Sequence, residues 1–216
     1  MTYKALVFDM DGTLLNTLED LADSTNAALT AHGFSAQPTD AYRYFVGSGA
    51  RNLVMRALPE SNRDEATVDA CLKHYKNHYE TNWANKTHVY HGIGHLLNAI
   101  VEKGYLLAIL TNKPQAFATQ CVNHFLSDCE WAITQGQVEG VAIKPSAEIS
   151  TRVTNQLGVK PEEVLYMGDS NVDMLTAKNA GYTSVGVTWG FRTEAELREA
   201  GAQHIVHSPA EILDLL

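Results

Sequence analysis

Short apolar runs recur along this chain, each too brief for a core helix and each stopping abruptly at polar residues. The first covers residues 4–8 and is halted by Asp9, Met10, Asp11 and Gly12. Others lie at 105–110, 131–134, 164–167, 183–187 and 205–206, and the stretches 93–103, 115–125, 147–157, 172–180 and 194–200 between them carry helical spacing. Such alternation predicts an α/β fold with a Rossmann-like parallel sheet, covered on both faces and binding ligands beyond the carboxyl ends of its strands.

One interval breaks the rhythm. Between the first run and the one at 105–110 lie far more residues than the roughly 12 a crossover needs. Thr17 to Asp20 resembles a capping box with Asp as its fourth residue, and Leu18, Leu21, Ala22, Ala28 and Leu29 follow at helical spacing. Further helices are expected over 39–45, 50–58 and 64–83, with no strand among them. The expected organisation is an α/β core of residues 1–15 and 88–216, with an all-helical domain of residues 16–87 inserted into it.

Composition narrows the partners. Hydrophobic residues are 45% and charged residues 19%, which is globular. The net charge of -9 comes without a cluster of Lys or Arg, so nucleic acid is not an expected partner. Three widely spaced cysteines, Cys71, Cys121 and Cys129, indicate neither a disulfide framework nor a zinc site, and a cytoplasmic location is expected. No apolar run approaches the roughly 18 residues of a membrane span, so no membrane partner is expected either. Monomer and dimer are both open.

Four polar clusters lie just past the carboxyl ends of proposed strands: Asp9-x-Asp11-Gly12-Thr13; Thr111-Asn112-Lys113; Lys144-Pro145; and Gly168-Asp169-Ser170-x-x-Asp173. In a parallel sheet these ends converge on one edge. A carboxylate at the end of a buried strand, with a second two residues on, is costly unless a cation or hydrogen bonds offset the repulsion. Clustered aspartates form a hard-oxygen set that suits Mg²⁺ and a phosphate. A carboxylate that attacks phosphorus needs that cation and a lysine to offset anion meeting anion, and hydroxyls or amides to bond the phosphoryl oxygens.

In combination these clusters resemble the four motifs of the haloacid dehalogenase superfamily, in order and over nearly the whole chain, with a helical cap inserted after the first. The resemblance implies Asp9 as nucleophile and Asp11 as acid, then base. It implies Mg²⁺ held by Asp9, the Asp11 main-chain carbonyl and Asp169, with Asp173 orienting the outer shell. Thr111, Asn112 and Lys144 would bind the phosphoryl group. Members that cleave carbon–halogen bonds lack an aspartate at the position of Asp11, so a phosphate ester is the expected substrate. Within the superfamily the sequence is most similar to phosphoglycolate phosphatases, through residues 11–15 and through Val46-Gly47-Ser48-Gly49-Ala50-Arg51. There Gly47 would allow close backbone approach and Arg51 would pair with a substrate carboxylate. Asn16-Thr17 stands where such enzymes often carry Asp-Ser.

The resulting expectation is a Mg²⁺-dependent phosphatase for a small phosphorylated metabolite, phosphoglycolate first. A pyrophosphatase, a sugar-phosphate phosphatase or a phosphomutase would use the same clusters. A non-hydrolytic phospho-acceptor signalling module is the rival from another class. His74 and His78 share the i, i+4 spacing of a metal pair, but no third ligand accompanies them and they read as surface histidines. Tyr75, Tyr79 and Trp83 on the same helix read as packing.

Overall fold

A computed structural model describes residues 3–216. It divides into two compact units, one of residues 3–15 and 89–216 and one of residues 16–88.

The first unit is built on Ala5–Phe8 (β1), whose four residues are wholly buried. Burying Leu6, Val7 and Phe8 stabilises the strand by roughly 1.5–3 kcal/mol each. Two short strands, Leu15–Asn16 (β2) and His88–Val89 (β3), pair where the chain leaves and re-enters this unit. The remaining strands are Leu106–Pro114 (β4), Ile133–Gln137 (β5), Val164–Gly168 (β6), Thr183–Val187 (β7) and His204–Val206 (β8). They form a six-stranded parallel sheet in the order β5-β4-β1-β6-β7-β8. The order reverses at β1, so the carboxyl ends of β4, β1 and β6 lie side by side at the topological switch point, where ligands bind in such sheets.

Five helices serve as crossovers: Ile93–Glu102, Gln115–Phe125, Ala147–Leu157, Asn171–Ala180 and Glu194–Glu199. Ile149, Val153 and Ala177 from two of them pack on Ala5, Val7, Ala108, Leu110 and Val164 of the sheet, with Tyr166 and Tyr182 completing the cluster. This is the α/β class that the alternation predicts.

Two strands differ from expectation. β4 does not end at Leu110 but runs through Thr111, Asn112 and Lys113 to Pro114. Leu110 pairs with Gln135 and Pro114 with Gln137, so two extra residues bulge from β4 there. Bulges re-aim side chains beside active sites. β5 starts at Ile133 because Trp131 is committed elsewhere: its ring meets Phe8 edge-on, and Nε1 donates to the Leu126 carbonyl.

The second unit holds four helices, Leu18–Ala31 (α1), Tyr42–Phe45 (α2), Ala50–Ala57 (α3) and Glu65–Asn82 (α4), with α1 and α4 forming its main packing. The capping box expected at Thr17 is not formed. Thr17 makes no side-chain cap, and Asp20 instead accepts from the Lys86 and Thr87 amides and the Thr87 hydroxyl at 2.7–3.0 Å. That shorter carboxylate spans the sequence ends of the unit rather than turning back on its own helix. His74 and His78 are half-buried against α1: His78 Nδ1 lies 3.0 Å from Ser24 Oγ, and the His74 ring meets that of His32 edge-on. Tyr75 and Tyr79 are buried and stacked, as packing residues should be. Among the described residues, no helix is long and apolar enough to cross a membrane.

Candidate active site

Asp9 is the first residue past β1, and its amide donates to the Met167 carbonyl at 2.9 Å, tying it to the end of β6. A tight turn follows. The Met10 carbonyl accepts from the amides of Thr13, Leu14 and Leu15, and Gly12 takes φ +89°, a conformation that favours glycine. Gly12 is also pressed against the Asp169 carboxylate so closely that a Cβ would overlap it.

Asp169 is the first residue past β6 and Asp173 sits in the first turn of the helix that follows. Ser170 donates to Asp173 Oδ2 through its amide at 3.1 Å and its hydroxyl at 2.5 Å, closing a capping box. Asp9, Asp169 and Asp173, all buried, bring carboxylate oxygens within 4.8 Å of one another, the one such cluster among the described residues. The Lys144 ammonium lies 2.8 Å from Asp9 Oδ1, 2.7 Å from Asp173 Oδ1 and 3.1 Å from the Tyr166 hydroxyl.

Three carboxylates against one ammonium leave two negative charges in a dry site. Burial pushes Asp9 up to about 7, against the pull of Lys144, with Asp173 and Asp11 adding to the rise. Burial first, then Asp173 and Asp9, holds Asp169 well above the usual carboxylate range. The Asp9–Lys144 contact lies outside hydrogen-bond angles, and Asp9 Oδ1 accepts no hydrogen bond. An orphaned carboxylate oxygen, a hard-oxygen donor set and a charge excess of two fit a divalent cation.

Lys144 arrives from the loop after β5, seven residues past its end, rather than from a strand terminus. Asn112 holds it there: Oδ1 accepts from the Lys144 amide at 2.9 Å and Nδ2 donates to the Lys144 carbonyl at 3.1 Å. The Lys144–Pro145 peptide is cis. Asn112 therefore bonds main chain, while Thr111, also buried, accepts from the Lys113 amide at 3.2 Å. The Asp11 side chain stands apart from the three-carboxylate cluster, with Oδ1 3.0 Å from Lys113 Nζ.

Sequence reasoning gave Lys113 no role within its cluster and missed Tyr166 and the segment after β7. The Phe191 amide donates to Asp169 Oδ2 at 2.7 Å, and Trp189 Nε1 donates to the Thr13 carbonyl at 3.0 Å. Gly190 touches Asp169 and the Gly12 carbonyl with no room for a Cβ. This segment follows a strand end as the other clusters do, but it lacks a carboxylate or lysine to signal chemistry.

Gly47 and Arg51 belong to the helical unit. Gly47 (φ +113°) and Gly49 (φ +83°) flank Ser48 in a turn ahead of α3, clamped by Arg56, which donates to the Phe45 carbonyl and the Ser48 hydroxyl at 3.1 Å. Arg51 is half-exposed and ion-paired with Asp69 of α4, so its guanidinium already has an acidic partner within the unit.

An α/β sheet with a buried aspartate cluster at its switch point, and a helical unit inserted after β2, defines a hydrolase of the aspartate-cluster class. Residues 6–187 match the family of haloacid dehalogenase-like hydrolases, and the chain belongs to it. It is 30% identical to a phosphoglycolate phosphatase of Haemophilus influenzae, over 99% of this chain and 98% of that one. It is 32% identical to an N-acetylmuramic acid 6-phosphate phosphatase of Pseudomonas aeruginosa, over 100% and 96%. A crystal structure from Lactobacillus delbrueckii subsp. bulgaricus, provisionally named a phosphoglycolate phosphatase, superposes with a TM-score of 0.94 at 29% identity, covering 100% of this chain and 98% of that one.

Proposed function

We propose that this chain is a Mg²⁺-dependent phosphatase that hydrolyses a small phosphorylated metabolite, 2-phosphoglycolate first, through an aspartyl-phosphate on Asp9. The carrying observation is Asp9 itself: a buried carboxylate, one oxygen of which accepts no hydrogen bond, facing Lys144 beside two further carboxylates. Asp9 attacks phosphorus as the ester P–O bond breaks, and Asp11 gives its proton to the leaving oxygen. Asp11 then takes a proton from water, which attacks the same phosphorus and releases phosphate and free Asp9.

Asp9, Asp169 and the Asp11 main-chain carbonyl would hold Mg²⁺, which when bound supplies charge for the attack of one anion on another. Asp173 has both oxygens engaged by Lys144, Tyr166 and Ser170, which supports an outer, orienting role. The Thr111 hydroxyl keeps its hydrogen for a phosphoryl oxygen. The Lys144 ammonium donates to Asp173 and to the Tyr166 hydroxyl and pairs by charge with Asp9, which supports charge balance as its first task. In this reading Asn112 acts through Lys144 rather than on substrate.

N-acetylmuramic acid 6-phosphate is a second reading, favoured by the Pseudomonas relative; both candidates are phosphate esters of carboxylic acids. A phosphate-release screen with Mg²⁺ over 2-phosphoglycolate, N-acetylmuramic acid 6-phosphate, sugar phosphates and pyrophosphate separates them from each other and from the wider alternatives. Asp9→Asn and chelation should each abolish turnover while the fold is retained. Turnover that survives both would sink the mechanism.

A further inference from the structure

Asp11 is asked to give a proton in one half-reaction and take one in the next, and neither works unless its carboxyl is aimed. In a bulge-free β4, residues 111–113 would continue the pairing with β5; two extra residues remove them from it. The Lys113 side chain, 2% exposed, reaches Asp11 and sets its ammonium 3.0 Å from Oδ1. This contact is separate from the Lys144 cluster, since Lys144 binds Asp9, Asp173 and Tyr166. The two buried lysines thus divide the two aspartates of the first motif between them.

We infer that Lys113 is the positioning residue for acid and base action by Asp11, a deepening that rests on the phosphatase reading above. With Oδ1 held by the ammonium, Oδ2 is the oxygen left to give and take the proton, and the carboxyl plane cannot rotate without giving up its contact with the buried ammonium. As the P–O bond breaks, its electron pair stays on the leaving oxygen and the Oδ2 proton moves there. The carboxylate left behind is stabilised by the cation at Oδ1. In the second half-reaction the same oxygen accepts a proton from water. Lys113 touches neither phosphorus nor the leaving group in this scheme.

The test is leaving-group dependence. Proton donation matters most when the departing oxygen is strongly basic, so kcat/KM is measured for p-nitrophenyl phosphate, phenyl phosphate and 2-phosphoglycolate, in order of rising basicity, with the unaltered protein, Lys113→Met and Lys113→Gln. This constant reports steps through transfer to Asp9 and leaves the later water attack out. The loss is expected to grow along the series, reaching ~10²-fold for 2-phosphoglycolate, the lower end of what a positioned general acid contributes. Ratios between substrates on one sample do not depend on how much of a variant has folded. Equal losses on all three substrates would overturn the inference, because a residue that only supports the fold scales them alike. Absence of turnover by the unaltered protein would instead fell the phosphatase reading, and this assignment with it.

Discussion

Lys144 lies beside three groups: it donates to Asp173 Oδ1 and the Tyr166 hydroxyl, and pairs by charge alone with Asp9 Oδ1. Two are carboxylates; the third is a neutral oxygen that also donates to Asp173 Oδ1 at 3.0 Å. The hydroxyl therefore fixes where the ammonium sits between two anions that would each draw it closer. Tyr166→Phe leaves one ammonium hydrogen without an acceptor in a dry site, and hydrogen bonds to charged groups are worth about 1.5–3 kcal/mol. The expected result is a fall in kcat of about 10-fold or more with a smaller change in KM, since Lys144 balances charge most when phosphorus is attacked. Steady-state kinetics on the variant check this, and a kcat within twofold of the unaltered protein would refute it. Tyr166 was unreadable from sequence because it stands in the middle of a buried apolar run, where a tyrosine reads as core; its hydroxyl became functional only through Lys144, 22 residues earlier in the chain.

At the scale of elements, the site depends on close approach between three loops. The turn after β1 supplies Gly12, the end of β6 supplies Asp169, and the segment after β7 supplies Gly190, packed where a Cβ would overlap Asp169 and the Gly12 carbonyl. Gly190→Ala must push Asp169 or the Gly12 turn aside, and displaced supports of metal ligands typically cost ~10–100-fold in affinity. Half-maximal activity should then need ~10–100-fold more Mg²⁺, read from activity against metal concentration; an unchanged requirement would show that the loops yield without moving Asp169. The alternation of runs and helices gave away the sheet, because β1, β6 and most of β4 and β7 are buried on both faces and leave a plain apolar signature. Asp9, Asp169 and Asp173 were legible because a carboxylate at or just past the end of a buried strand is too costly to keep unless a cation meets it. The bulge in β4 was not: Thr111, Asn112 and Lys113 are polar and looked like a turn, whereas pairing resumes beyond them, Pro114 with Gln137 of β5, and carries β4 past all three. Asp20 misled for a related reason, since a local capping pattern competed with backbone amides at Lys86 and Thr87 that sequence distance hides.

For the molecule as a whole, a net charge of -9 opposes an anionic ester, yet charges beyond roughly 8 Å are screened at physiological salt. What governs anion binding is the local balance, and without a metal that balance is unfavourable. Asp9 titrates near 7 in the folded protein against an ordinary value of 3.8. Between those pH values the unfolded chain has released its proton and the folded one keeps it, so the metal-free protein loses stability as pH rises through this window. A divalent cation needs the carboxylate and must expel that proton. At pH 5.5 this opposes binding by about 2 kcal/mol, at 1.36 kcal/mol per unit below 7, and by pH 8 the opposition has gone. Saturating Mg²⁺ should therefore raise Tm more at pH 7.5 than at pH 5.5, by about 4–8 °C if each kcal/mol moves Tm by about 2–4 °C in a chain of this size. Calorimetric titration of Mg²⁺ in two buffers of different ionisation enthalpy reads the same linkage directly: at least one proton released per metal at pH 5.5, and little from Asp9 at pH 8. Metal binding with no proton release at pH 5.5 would mean that Lys144 already keeps Asp9 ionised there, and that burial does not hold its carboxyl near 7.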